Sequence, residues 1–323
     1  MNIQILVPAK ITLPQTIKRI GIANRSLPAK ENVFFNILEG FITGESIFAD
    51  REGSEKCIQG LYDKLTNSPR FQAVLIEREF LKGTGTREFP EPLDGAKVDE
   101  ICKKYNVDGL VLLETFDSNI GIRDRKRDVK HKDKDGKEYI TVEYCSDLNI
   151  NASTGWRVYD FTNRQIVDEN RFTDEKRWTS CSNTLSNSRH DLPSKRSAID
   201  NAGYFSGQEY GIRISPNWVN GSRYYFTKGN DDFKIARDYM LAGNLDKAVE
   251  IWNKLTLNSD KKIAGRACHN MAYACEKKGQ LDLAYEWAKK AYEQHNLRSE
   301  SSYIDQLEKR IQEQKKLGEQ MGN

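Results

Sequence analysis

Ala236-Arg-Asp-Tyr-Met-Leu-Ala-Gly-Asn-Leu-Asp-Lys-Ala-Val-Glu-Ile-Trp252 carries the apolar spacing of two short helices broken by a glycine turn, and the pattern returns further along the chain. Aligning Ala236, Tyr239, Gly243, Ala248, Trp252 and Leu255 with Ala272, Cys275, Gly279, Ala284, Ala288 and Ala291 gives one constant offset of 36 residues. Each unit reads as a helix, a turn Gly-Asn-Leu-Asp or Gly-Gln-Leu-Asp, and a second helix. The small residues let paired helices approach, glycine supplies a permissive backbone, and aromatics fill the outer gap. The repeat spans Asp231 to Asn296, and a helix over Ser302–Leu317, with Ile304, Leu307 and Ile311 in register, is expected to cap it.

These matched positions resemble the tetratricopeptide family, although the period is 36 residues rather than the family's ~34. The resemblance implies that the first helix of each hairpin lines a concave groove. The residues facing it would be Phe233, Arg237, Met240, Arg266, His269, Tyr273 and Lys277, and the expected partner is a protein or extended peptide. The alternative is that two hairpins, fewer than the roughly three that usually stand alone, only pack on the rest of the protein.

Upstream of the repeat the chain alternates strand and helix. Arg19-Ile-Gly-Ile-Ala-Asn-Arg25 and Ala73-Val-Leu-Ile-Glu77 read as short buried strands. A helix is expected from Ser54, as N-cap, with Cys57, Ile58, Leu61, Tyr62 and Leu65 on one face, and another over Ala96–Tyr105. Gly109–Phe116 is apolar enough for a central strand. From Val142 to Val158 the even positions are Val, Tyr, Ser, Leu, Ile, Ala, Thr, Trp, Val, with mostly polar residues between them. That period of two predicts one long strand with a single buried face, flanked by Leu110–Phe116 and Ile166–Phe172. Crossover units joined to long antiparallel strands make the fold class α+β: an α/β sheet domain over 1–226, then an all-α tetratricopeptide-like domain over 227–323.

Gly121–Lys137, with the turn signal Asp135-Gly136, reads as a charged exposed hairpin, and Thr179–His190 as a polar loop. A helix follows from Pro193. Gly203, Gly207 and Gly211 leave a bare stripe along it where another backbone can approach.

Lys and Arg number 50 against 47 Asp and Glu, so the molecule is not built to coat nucleic acid, and no nucleic-acid partner is expected. No apolar run reaches the ~18 residues of a membrane span. The six cysteines are dispersed, which points to core thiols and away from a disulfide scaffold or a four-cysteine zinc site. Cys181 with His190, and Cys268 with His269, lack the orienting groups of a nucleophilic dyad. Cys268, His269 and Cys275 lack a fourth metal ligand, and Lys132–Glu138 lacks most of a calcium loop. Neither phosphate-binding glycine motif occurs. No catalytic residue, metal or cofactor is expected, and the protein is read as non-enzymatic.

Leu6-Val-Pro-Ala-Lys-Ile-Thr-Leu-Pro14, Lys18-Arg-Ile-Gly-Ile-Ala-Asn-Arg-Ser26, Trp156-Arg-Val-Tyr-Asp160 and the helical tail are together similar to a Bacteroidetes-type family of uncharacterised cell-envelope lipoproteins. The resemblance implies a periplasm-facing protein, lipid-anchored through a leader and cysteine upstream of Met1; a cytoplasmic location is the alternative. The strand and helix order also resembles curli-secretion-type lipoproteins. The function expected is an interaction or assembly module of the cell envelope. The alternative is a structural subunit of an envelope oligomer.

Overall fold

The computed structural model describes residues 2–26, 44–76, 81, 83 and 88–322; Glu77, the last residue of one expected strand, lies outside them. Contacts divide the chain into two units, Ala9–Ser215 and Met1–Pro8 with Pro216–Asn323. The fold class is α+β. The first strand and 216–226, expected in a sheet domain over 1–226, group with the helices.

The larger unit holds β2 (Arg19–Asn24), α1 (Gly44–Thr66), β3 (Gln72–Leu75), α2 (Gly95–Tyr105), β4 (Gly109–Lys132), β5 (Glu138–Asp160), β6 (Gln165–Ser182), α3 (Leu185–His190) and α4 (Lys195–Ile214). Its sheet has the order β3-β2-β4-β5-β6. The first three strands are parallel, because helical crossovers join them, and the last three are an antiparallel meander. Ile20, Ile22, Val111, Ile150, Trp156 and Val158 pack with Leu61, Ile199 and Tyr210 of α1 and α4. Val98, Ile101 and Cys102 of α2 pack with Ala23, Leu110, Leu112 and Tyr159 in a separate cluster.

The expected period of two in β5 holds from Ser146 inward, but Val142 at its outer end is exposed and Tyr144 half-buried. At the inner end Gly155–Asp160 is buried on both faces, since the strand there lies between two apolar layers. The helix expected from Ser54 starts ten residues earlier, at Gly44. Ser54 is no cap: its hydroxyl donates to the Arg51 carbonyl and accepts from the Asn24 amide. The polar stretch Thr179–His190 is the end of β6 followed by α3, capped by the Thr184 hydroxyl, rather than a loop.

The glycine stripe of α4 does meet a backbone. A Cβ on Gly207 would stand 1.8 Å from the Cys57 carbonyl oxygen, and one on Gly203 2.2 Å from that of Gly53. A Cβ on Gly60 of α1 would in turn meet the Tyr204 carbonyl at 2.0 Å. Glycine on both helices is therefore a condition of their contact.

The smaller unit holds β1 (Asn2–Val7), β7 (Asn217–Ser222), α5 (Asp231–Leu241), α6 (Leu245–Leu255), α7 (Lys261–Lys277), α8 (Leu281–Glu293) and α9 (Ser301–Met321). β1 and β7 form an antiparallel ribbon whose Ile3 and Ile5 pack into the cluster of Phe233, Ala236, Trp252 and Tyr273. The two turns of the repeat have the same geometry. Gly243 and Gly279 take φ of 75° and 76°, and the residue after each donates its N–H to the carbonyl five residues back, at 2.8 and 2.9 Å. Leu307, with Ile304 and Ile311, closes the far end against Ala284 and Ala288.

Candidate functional site

Of the seven groove residues, Phe233, Met240, His269 and Tyr273 are buried, Arg237 and Arg266 are half-buried, and Lys277 is exposed. The chain itself covers the first helices of the repeat: the segment after β7 lies along α7 as a strap. Asn270 accepts from the Phe226 N–H at 2.7 Å and donates to the Phe226 carbonyl at 2.8 Å, holding both polar groups of one residue's main chain. Arg266 donates to the Lys228 carbonyl at 2.7 Å and lies over the Phe226 ring. Tyr225 packs against Trp252 and Tyr273. Arg237 engages its neighbour Asp238.

His269 bridges this layer. Its Nε2 faces the Tyr224 carbonyl at 3.0 Å, its Nδ1 faces the buried Glu300 carboxylate at 2.8 and 2.9 Å, and its ring stacks on Tyr224 at 4.6 Å. Adjacent Cys268 is buried and its thiol is pushed up to about 11 by desolvation, unsuited to attack at neutral pH. Two turns on, the fully buried Glu276 accepts from Arg223, from the Tyr303 hydroxyl at 2.8 Å and from Arg310. Burial opposes its ionisation, but those donors outweigh it and hold the carboxyl below its usual range.

The sheet unit has a second buried charge cluster, which the sequence reading missed. Glu114 of β4 is fully buried, with Arg25 Nη1 at 3.1 Å and Arg157 Nη1 at 3.6 Å. The Tyr159 hydroxyl donates to it at 3.2 Å and accepts from the Leu93 N–H. Burial raises the Glu114 pKa in spite of the two guanidiniums. Arg157 also binds the Pro90 carbonyl and Glu169, and the Phe89 ring lies between Arg157 and Arg171. Glu114 is paired with Arg25 and Arg157, and Arg157 also with Glu169, an arrangement that fixes structure. Among the described residues the cluster contains no Ser, Cys or His nucleophile or base.

Cys181 does not face His190. It is joined to Cys145, its directly opposed partner across β5 and β6, in a disulfide. The expectation of core thiols therefore fails for this pair, while Cys57, Cys102, Cys268 and Cys275 are free and buried. Among the described residues the one metal-like grouping, Glu143 with Cys145 and Cys181, has its sulfurs committed to that bond. Lys132–Glu138 closes the β4–β5 hairpin: Asp133 accepts from the N–H groups of Asp135 and Lys137, and Gly136 has φ of 81°.

The family model described as a domain of unknown function, DUF8603, matches residues 17–226, the meander and both its helical layers. The chain belongs to the DUF8603 family. A second model, the domain of unknown function DUF6340, matches residues 234–314, so the DUF8603 region is followed by a distinct helical module. A search of the curated proteins returns no match. The crystal structure of a neuraminyllactose-binding hemagglutinin homolog from Helicobacter pylori is similar at 11% identity with a TM-score of 0.23, covering 62% of this chain and 87% of that one. A likeness at that level carries no argument about what this DUF8603 protein binds.

Proposed function

We propose that this chain is a non-enzymatic assembly module of the cell envelope that joins other chains through the edges of its long strands. The observation that carries the reading is the edge of β4. It pairs with β2 only over Gly109–Leu113, so that among the described residues β5 alone pairs with it from Thr115 to Lys132. β6 is likewise the last strand of its sheet. Unpaired strand edges offer N–H and C=O groups for strand addition, a hazard that proteins otherwise cover or break. Past Tyr144, where pairing with β6 ends, the hairpin continues as two strands and carries exposed Tyr139, Ile140 and Val142.

The envelope part of the proposal is supported by the Cys145–Cys181 disulfide, since such bonds persist in oxidising compartments. The resemblance to envelope lipoproteins points the same way, and a tetratricopeptide-like tail suits a scaffold. The test is the mass of the full chain in solution across a wide concentration range, for the native sequence and for Ile140→Asp with Val142→Asp. Reversible association of the first, lost in the second, is the expected result. A monomer at every concentration, alone and with envelope extract, overturns it.

One observation favours a second reading, in which the helical groove takes a peptide. Asn270 grips the Phe226 main chain as it would a guest. In that reading the strap competes with the guest, and a peptide copying Arg223–Lys228 would bind when added in trans.

A further inference from the structure

Lys277 was expected in the groove, yet the structure places it on a different concavity of the helical unit. A pocket of about 230 Å³ opens between β1, β7, α7 and α9, with Lys277 and Arg310 on its wall. Ile3, Leu281 and Leu317 supply an apolar floor, and Trp218 stands at it with 51% of its surface exposed. A half-exposed tryptophan beside a cavity is an unused stacking surface.

The charges are not balanced within the site. Glu276 is shared by Arg223 and Arg310. Glu313, also on the wall, is 3.7 Å from Lys309. The Lys277 side chain has neither an ion pair nor a hydrogen bond among the described residues. Arg310 commits one N–H to Glu276 and has no other partner there, which leaves most of its five donors for a ligand. Because buried Glu276 also holds Arg223 and the Tyr303 hydroxyl, the guanidinium is fixed in advance, and a fixed donor loses less freedom on binding.

We infer that this pocket binds a small carboxylate bearing an aromatic or alkyl group. The carboxylate is received by Arg310 and Lys277, and the apolar part lies between Trp218 and the aliphatic floor. The volume is below the ~300–1,000 Å³ of pockets for drug-sized ligands, so the site suits a single side chain with its acid group rather than a longer peptide. The inference stands apart from the strand-edge proposal, which involves neither these residues nor this unit.

The test is titration of the full chain with N-acetylphenylalanine and, separately, with its uncharged amide, followed by tryptophan fluorescence and by calorimetry. Saturable binding of the acid is expected, at least ~10-fold tighter than of the amide, as loss of a charge-assisted contact implies. Lys277→Gln should weaken the acid at least ~5-fold and leave the amide unchanged. Trp218→Phe should remove most of the fluorescence response while calorimetry still shows binding. Both positions are exposed, so the variants should melt with the native protein. Equal binding of acid and amide, no saturation at millimolar acid, or indifference to Lys277→Gln would each overturn the inference.

Discussion

The two units treat their own binding surfaces in opposite ways. In the helical unit the face of α7 where a groove was expected is covered from within, by the strap whose main chain Asn270 holds. In the sheet unit a strand of 24 residues pairs along only five of them with its parallel neighbour, and among the described residues no strand pairs with the rest of that edge. The surface that looks prepared in the sequence is covered, and the one that looks like an insertion has, among the described residues, an edge with no partner strand. The difference follows from the kind of satisfaction each needs. Helices complete their main-chain hydrogen bonds internally and bury only side chains, whereas a strand edge stays unsatisfied until another strand arrives.

The sharpest way to break the sheet unit is Gly207→Val. Its side chain would run into the Cys57 carbonyl, which is backbone and cannot yield, so α1 and α4 must separate. We expect a loss of at least ~3 kcal/mol in urea unfolding. Gly243→Ala in the helical unit meets only open space and the strain of a positive φ, and should cost about 1 kcal/mol.

Next in size is the disulfide. Replacing Cys145 and Cys181 with Ala frees a loop whose ends are 36 residues apart, for which the chain-entropy relation gives a loss of about 3–4 kcal/mol. The readout is the melting temperature with and without reductant. Reductant should lower it for the native chain and leave the double variant unmoved.

On the helical side, Asn270→Ala removes both hydrogen bonds to Phe226 from a buried site, and should cost about 2–3 kcal/mol. Hydrogen exchange should show faster exchange at the Phe226 amide, with β4 and β5 unaffected. Equal loosening of the sheet strands would contradict a loss confined to the helical unit.

A smaller effect concerns pH. Burial raises the Asp50 pKa to about 6, against the pull of the Ser118 hydroxyl that donates to it. The folded protein therefore holds this proton more tightly than the unfolded chain. The penalty is absent below about pH 4, grows as pH rises towards 6, and is complete above that. Asp50→Asn should thus raise stability at pH 7 by about 2 kcal/mol, allowing for partial exposure, and change nothing at pH 3.5. Chemical melts at the two pH values separate these outcomes.

What could be read from the sequence was local or periodic. The offset from Gly243 to Gly279, the alternation through β5 and the glycine stripe of α4 each repeat at a period that one helix or strand imposes, and all three recur in the structure. The pairing of β1 with β7 was not legible, because Val7 and Asn217 are far apart in sequence and a two-stranded ribbon leaves no periodic trace. The disulfide was hidden behind a misjudged boundary. With β6 ended at Phe172, Cys181 had no strand to oppose Cys145, and the Ser- and Asn-rich composition after it read as loop. The strap was missed for a related reason: Tyr224, Tyr225 and Phe226 carry no helical or strand period, and their role appears only when Asn270 and His269 are beside them. Glu114 gave one faint signal, a lone carboxylate inside the apolar stretch Gly109–Phe116.

The most direct test of the strand-edge account is sedimentation of the full chain across a hundredfold range of concentration, with Ile140→Asp/Val142→Asp as control and envelope extract added in a parallel series. The account predicts that the native chain enters larger species, by itself or with an extract component, and that the double variant does not. A native chain that sediments as a monomer throughout, in buffer and in extract alike, would contradict it.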